Sequence, residues 1–174
     1  LSVRDILSVP GLTLRTVAGE RSLDRPVRWI HASELEDPTP WLKGGEILLT
    51  TGAGVDSTPA RQRAYVRRLV DAGLAGLGFG TGFTHDRIPK AIVTSAEELG
   101  FPVFEVPYPV PFIAITEAVF TRLLAEQYEV LQRAVDAEQQ LTRAVMDGDG
   151  VQGIATSLAS VTGGWAMLLD LHGT

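Results

Sequence analysis

The sequence predicts an α/β fold: a small domain with a mainly parallel sheet of βαβ units and an N-terminal antiparallel strand pair, followed by a long helix. Three observations predict it. Apolar or glycine-spaced runs at 47–49, 74–82 and 101–106 are separated by stretches with helical spacing, which makes two consecutive βαβ units. Residues 27–32 alternate with the two-residue period of a half-buried strand. Between Phe112 and Met146 there is neither Pro nor Gly, and Ala, Leu, Glu and Gln abound.

Each element has its own local reason. Ser2 with Asp5 three residues on reads as a capping box opening a brief helix with Val3, Ile6 and Leu7 apolar, ended by Pro10-Gly11. Leu12, Leu14 and Val17 suggest a strand, and the polar turn at 19–26 leads into the 27–32 strand, so the two should pair antiparallel. In that second strand Val27, Trp29 and His31 alternate with Arg28, Ile30 and Ala32, and His31 is expected on the buried side. Asp37 is placed to cap a short helix with Pro38 in its first turn, stopped by Gly44 and Gly45 after Trp41 and Leu42. The wholly apolar run 47–49 then releases into Thr50-Thr51-Gly52.

Residues 56–59, Asp-Ser-Thr-Pro, cap a helix expected to carry Ala64, Leu69 and Val70 inward and to stop at Gly73. A strand and its exit follow over 74–82. Pro89 starts a helix with Ala91, Ile92, Ala96 and Leu99 at helical spacing, Gly100 sits where a left-handed cap is wanted, and 101–106 is the third core strand. The long helix would measure on the order of 50 Å, too long to pack only on the domain before it. Phe120, Leu124, Gln127, Leu131, Ala134, Glu138, Leu141 and Val145 follow alternating steps of four and three, a coiled-coil register interrupted by its polar members. Asp147-Gly148-Asp149-Gly150 is expected to break the helix. Ile154, Leu158 and Val161 then suggest a short helix and 165–171 a strand.

Composition narrows the function. With 174 residues and 45% hydrophobic content the chain can bury a core, and its length suits one domain plus something extra. A formal charge of −6 argues against a nucleic-acid surface, and the cluster Arg61, Arg63, Arg67 and Arg68 reads as the solvated face of a helix. Zero cysteines exclude disulfides, thiolate metal sites and cysteine nucleophiles. No apolar run reaches the roughly 18 to 20 residues of a membrane span, and the start lacks a signal-peptide pattern, so a cytoplasmic location is expected. The absence of an initiator Met and the apolar end suggest a piece of a longer protein.

Candidates for chemistry are few. Gly76, Gly78, Gly80 and Gly82 invite a dinucleotide-binding reading, but the next required glycine position is Phe83, and close packing along a crowded strand explains them as well. No Gly-Lys-Ser or Gly-Lys-Thr phosphate loop and no Gly-x-Ser-x-Gly elbow occur. His31 and Glu34 could form an acid/base or metal pair, yet a strand puts residues three apart on opposite faces, and Glu34 and Asp37 could equally cap the helix at Pro38. No catalytic residue, metal site or cofactor is expected. What remains is the rim where parallel strands end, the usual crevice for small ligands in open α/β sheets. Thr50, Thr51, Gly52, Gly80, Thr81, Gly82 and Tyr108 fall there, and His31 and Glu34 join them if the first strand of the parallel set ends beside it. The alternative is that the threonines cap helices and the glycines turn the chain.

The stretch Val27-Arg28-Trp29-Ile30-His31-Ala32-Ser33-Glu34-Leu35, with Asp37-Pro38, Trp41-Leu42 and Gly44-Gly45-Glu46-Ile47-Leu48-Leu49-Thr50-Thr51-Gly52, closely resembles the N-terminal domain of the purine catabolism regulator (PucR-like) family. The resemblance covers residues 1 to about 147. It implies a bacterial transcriptional regulator with a sensory N-terminal domain, a middle domain and a C-terminal helix-turn-helix. On that reading 1–110 is the sensory domain, 111–147 a linker and dimerisation helix, and 148–174 the truncated start of a second domain. The resemblance further suggests an effector from purine or other nitrogen metabolism, while the apolar stripe of the long helix, which must be buried against something, suggests a homodimer with Phe120, Leu124, Leu131, Leu141 and Val145 as the seam. Small acidic or amide-rich molecules are the first guess for that effector. DNA would be bound only through the C-terminal domain outside this chain, and no membrane is involved. A weaker, fold-level resemblance is to the small N-terminal domains of HPr kinase/phosphorylase and the Mur ligases. A pure assembly module without a metabolite site is the main alternative, and an enzyme-associated domain of the HPr kinase/Mur ligase type, disfavoured by the missing phosphate loop, is the second.

Overall fold

A computed structural model describes residues 1–146, 150–167 and 169. The chain divides into two compact units, Leu1–Leu124 and Ala125–Thr174. In the first, a five-stranded sheet runs in the order β1-β5-β4-β3-β2. Its strands are β1 (Arg15–Ala18), β2 (Trp29–Ala32), β3 (Glu46–Thr50), β4 (Gly76–Gly80) and β5 (Val103–Val106). β2, β3, β4 and β5 run parallel to one another, and the connections β3-α2-β4 and β4-α3-β5 are the two expected βαβ units, with α2 at Pro59–Asp71 and α3 at Lys90–Glu98.

The antiparallel strand is present, but its partner differs from the one expected. β1 pairs with β5, Arg15 opposite Glu105, and β1 and β2 lie at opposite edges of the sheet. The segment between them is no tight hairpin. It passes through a left-handed Gly19 and a short 3-10 turn at Glu20–Ser22, and its far end is held by the N-terminus: Val3 donates to the Arg25 carbonyl and Val27 to that of Leu1. This also shifts the phase of the β2 region. Val27 and Ile30 are buried, whereas Trp29 and His31 are exposed, so His31 does not face the core.

Alternation sorts the core into two layers. Ile47 and Leu49 of β3 with Phe104 and Val106 of β5 face α1 (Val3–Leu7) and the start of α4 (Phe112–Met146), where Ile115 and Val119 are buried. Leu48, Leu77, Phe79 and Val103 face α2 and α3. The glycines of β4 all fall on the α1/α4 side. A Cβ on Gly78 would lie 2.5 Å from Leu49 and 2.7 Å from Phe104, so glycine there lets these two side chains close over the central strand.

Local signals hold with adjustments. Ser2 and Asp5 form the capping box of α1. In α2 the buried residues are Gln62, Tyr65, Val66 and Leu69, while Ala64 is exposed and Val70 only half-buried. The expected helix after Asp37 is a single 3-10 turn, Thr39–Trp41. Leu42 is already extended and Gly44 and Gly45 are left-handed, which ends the turn, and Asp37 accepts from the Thr39 amide and hydroxyl, which holds its carboxyl below the usual range.

The last two helices are α4 and α5 (Gly150–Thr162). Residues 147–149, where the break between them was expected, lie outside the described residues. Of the strand expected at 165–171, residues 165–167 and 169 are not in a strand, and the rest lie outside the described residues.

Candidate functional site

The carboxyl ends of β3, β4 and β5 form one rim, and alternation divides the expected site residues between its two faces. Thr50 and Thr81 are buried, and their hydroxyls are already engaged. The Thr50 hydroxyl donates to Glu34 Oε2 at 2.8 Å and accepts from the Gly52 amide at 3.0 Å. Glu34 also accepts from the Thr51 amide at 2.6 Å and the Ala53 amide at 3.1 Å. One carboxylate thus straps the segment after β2 to the loop after β3. The strap is tight, because a Cβ on Gly54 would sit 1.7 Å from the Glu34 carbonyl oxygen. Beneath it lies the Tyr65 hydroxyl, buried with no partner at hydrogen-bonding geometry among the described residues, and burial followed by the Glu34 charge pushes its pKa up. Arg68 holds the same segment from α2, donating to the Glu36 carbonyl, and Arg61 pairs with Asp56. Two members of the arginine cluster are therefore engaged with loops, and Arg63 and Arg67 remain exposed.

Thr81 donates to Glu105 Oε1 at 2.9 Å, and Arg15 of the antiparallel edge strand pairs with Glu105 Oε2. Burial raises the Glu105 carboxyl, but the hydrogen bonds from Arg15 and Thr81 and the charges of Arg15 and Arg87 outweigh it, so its pKa lies below the ordinary value of 4.5. A depressed carboxylate pKa stabilises the fold in full above about 4.5, and that contribution is lost as pH falls through the lower folded value. Urea midpoints followed downward from neutral pH should fall in this acid range, and the fall should be smaller in Arg15→Gln.

The opposite face of the rim is open. A pocket of about 500 Å³ is floored by Gly80 and Val106 and bordered by Thr51. Its walls are the rings of Phe83, Tyr108 and Phe112 and the loop of alternating prolines Pro107, Pro109 and Pro111. The Phe83 and Tyr108 ring centroids are 4.6 Å apart, and a Cβ on Gly80 would lie 3.0 Å from the Phe112 ring. Of the residues expected at the rim, Thr51, Gly80 and Tyr108 meet here.

The others do not line this pocket. Gly82 backs Tyr108, and Gly52 is packed between Phe79 and His85, a histidine that sequence reasoning left aside. His31 is exposed on the edge strand β2, and Glu34 serves the strap. Phe83, Phe112 and the proline loop were not anticipated. The signal that could have found them is Pro-Tyr-Pro-Val-Pro directly after the last core strand. Among the described residues no group of three or more His, Asp or Glu side chains is arranged to hold a metal, and no helix is long and apolar enough to cross a membrane.

Comparison with known proteins gives the family of the chain. Residues 5–123, which include all five strands, match the model of the purine catabolism regulatory protein-like family, PucR. The chain is 26% identical over 173 residues to the purine catabolism regulatory protein of Bacillus subtilis (strain 168), covering 99% of this chain and 33% of that protein. It is 34% identical over 119 residues to the transcriptional activator PmfR of Paenarthrobacter nicotinovorans, covering 68% of this chain and 25% of that protein. The chain therefore spans a third and a quarter of the lengths of these two relatives, both of them regulators. With the match extending over the whole sheet, the strap and the rim, the chain belongs to the purine catabolism regulatory protein-like family.

Proposed function

We propose that this chain is the effector-sensing and dimerising part of a cytoplasmic transcriptional regulator whose DNA-binding helix-turn-helix lies outside these 174 residues. The observation that carries the reading is the open rim pocket at the carboxyl ends of parallel strands, where α/β sheets bind small molecules. A thermal-shift screen against purine catabolites, nitrogen metabolites and amino acids tests it, since a ligand that binds only the folded state must stabilise it. The chain itself is read as non-catalytic. Nucleotide turnover by the purified chain would overturn that.

Dimerisation is assigned to α4. Phe120, which meets the Trp29 ring edge-on, Leu124 and Leu131 are 46%, 50% and 59% exposed, apolar residues at coiled-coil spacing that the described residues leave largely uncovered. The side chains of Leu141 and Val145 lie outside the described residues. Changing Leu124 and Leu131 together to Asp should lower the mass seen by analytical ultracentrifugation. A native chain already monomeric at high concentration would end the idea. The same exposed surface favours the second reading, an assembly module with no metabolite, which predicts association without any hit in the ligand screen.

Residues 1–174 alone should not bind DNA with sequence selectivity, because the chain is acidic and phosphate contacts need clustered cations. Band shifts on the native promoter check this. Tight, selective binding would reassign the DNA-reading surface to this part of the protein.

A further inference from the structure

We infer that the rim pocket takes a neutral, planar ring compound and disfavours small anions. The inference rests on the sensing reading above and specifies the chemistry of its site. Three features of the pocket lead to it.

The first is the wall. Phe83 and Tyr108 are each 62% exposed yet lean on one another, and with Phe112 they present aromatic surface to the hollow. A flat ring can stack on or meet these rings edge-on and remove them from water, which a rounded molecule of equal size does less well.

The second is charge. No Lys, Arg or His lines the pocket, and the Glu34 carboxylate already accepts from the amide of Thr51 on its border. An anion would lose its water without gaining a cation. The loop offers it few amides, because Pro107, Pro109 and Pro111 have no N–H and the Val110 amide is already donated to the Pro107 carbonyl. By contrast, the hollow around Arg15, Asp86, Arg87 and Glu105 beside β1 carries charges of both signs.

The third is the polar edge. Thr50 and Thr81 have spent their hydroxyl hydrogens on carboxylates, whereas the hydroxyls of Thr51 and Tyr108 make no hydrogen bond among the described residues. Each can donate and accept, which suits an amide or ring nitrogen on the rim of a heterocycle. The proline loop fixes its own backbone, so little conformational freedom is lost when a ring settles against it.

Chemical-shift mapping on the isotope-labelled 174-residue chain tests the inference with defined probes. Indole and benzamide are the neutral planar probes, indole-2-carboxylate and benzoate the matched anions, and cyclohexanecarboxamide the saturated control. Indole and benzamide should move the resonances of Thr51, Gly80, Val106 and Val110. Phe83→Ala with Tyr108→Ala should weaken them about tenfold, with an unchanged melting temperature because both side chains are exposed. Thr51→Val, a smaller change, should weaken benzamide without moving the fold.

Carboxylates that bind at these residues as tightly as their neutral counterparts would overturn the ligand class and leave the rim site standing. Equal binding by cyclohexanecarboxamide would overturn the planar requirement alone. If no probe moves these resonances, the inference fails. The sensing reading at the rim fails separately, if a metabolite found by thermal shift perturbs residues elsewhere.

Discussion

Gly54→Ala should destabilise the first unit by about 2 to 5 kcal/mol, as overpacking is joined by the loss of hydrogen bonds to a charged acceptor. The added Cβ would meet the Glu34 carbonyl oxygen at 1.7 Å, its carbon at 2.7 Å and the Leu35 carbonyl carbon at 3.1 Å. All three are backbone atoms, so no rotamer change relieves the contact. Either the loop after β3 or the segment after β2 must move. Moving either draws the Glu34 carboxylate away from the Thr50 hydroxyl and the Thr51 and Ala53 amides. Glu34→Gln keeps the shape but removes the charge and turns one accepting oxygen into an NH2 donor, without forcing the backbone apart, so it should cost less, about 1 to 2 kcal/mol. Urea denaturation of the two variants beside the parent gives both values. A Gly54→Ala protein as stable as the parent would mean that the strap does not lie against the loop as described.

The second large effect is expected at Phe79. This ring is fully buried on the α2/α3 side of the central strand, where it supports Gly52 and lies 5.6 Å from the His85 ring, centroid to centroid. Phe79→Ala removes that support and leaves a cavity under the rim, with an expected cost of about 3 to 5 kcal/mol. Against a total stability of about 5 to 15 kcal/mol for a small domain, much of the folded population near physiological temperature is at stake. Phe79→Leu fills most of the space and should cost clearly less. Circular dichroism melts of both variants decide it. A mild Phe79→Ala would show that the rim loops stand without this ring beneath them.

These two sites also separate what sequence reasoning could reach from what it could not. Local chemistry announced the capping box at Ser2 and Asp5, the helix opening after Pro89, the two βαβ units and the bounds of the 35-residue α4. Each depends on residues within a few positions of one another, so spacing and propensity suffice. The same reasoning located the rim, and Thr51, Gly80 and Tyr108 do meet in its pocket.

What remained was decided between residues far apart in the chain. Periodicity says which residues of a strand share a face, but it does not say which strand lies alongside. β1 accordingly pairs with β5 across most of the domain and not with β2. Alternation within a strand was readable, yet its phase in the β2 region depended on the N-terminus bonding to Arg25 and Val27, which put Ile30 inward and His31 outward. The three rim threonines look alike in sequence. They differ because Glu34, sixteen residues before Thr50, and Glu105, twenty-four after Thr81, arrive to take two of the hydroxyls and leave that of Thr51, at the pocket, without a partner among the described residues. A hydroxyl's availability is set by the groups the fold brings to it, so the sequence determined where polar groups gather and the tertiary structure determined which of them still have a hydrogen bond to give.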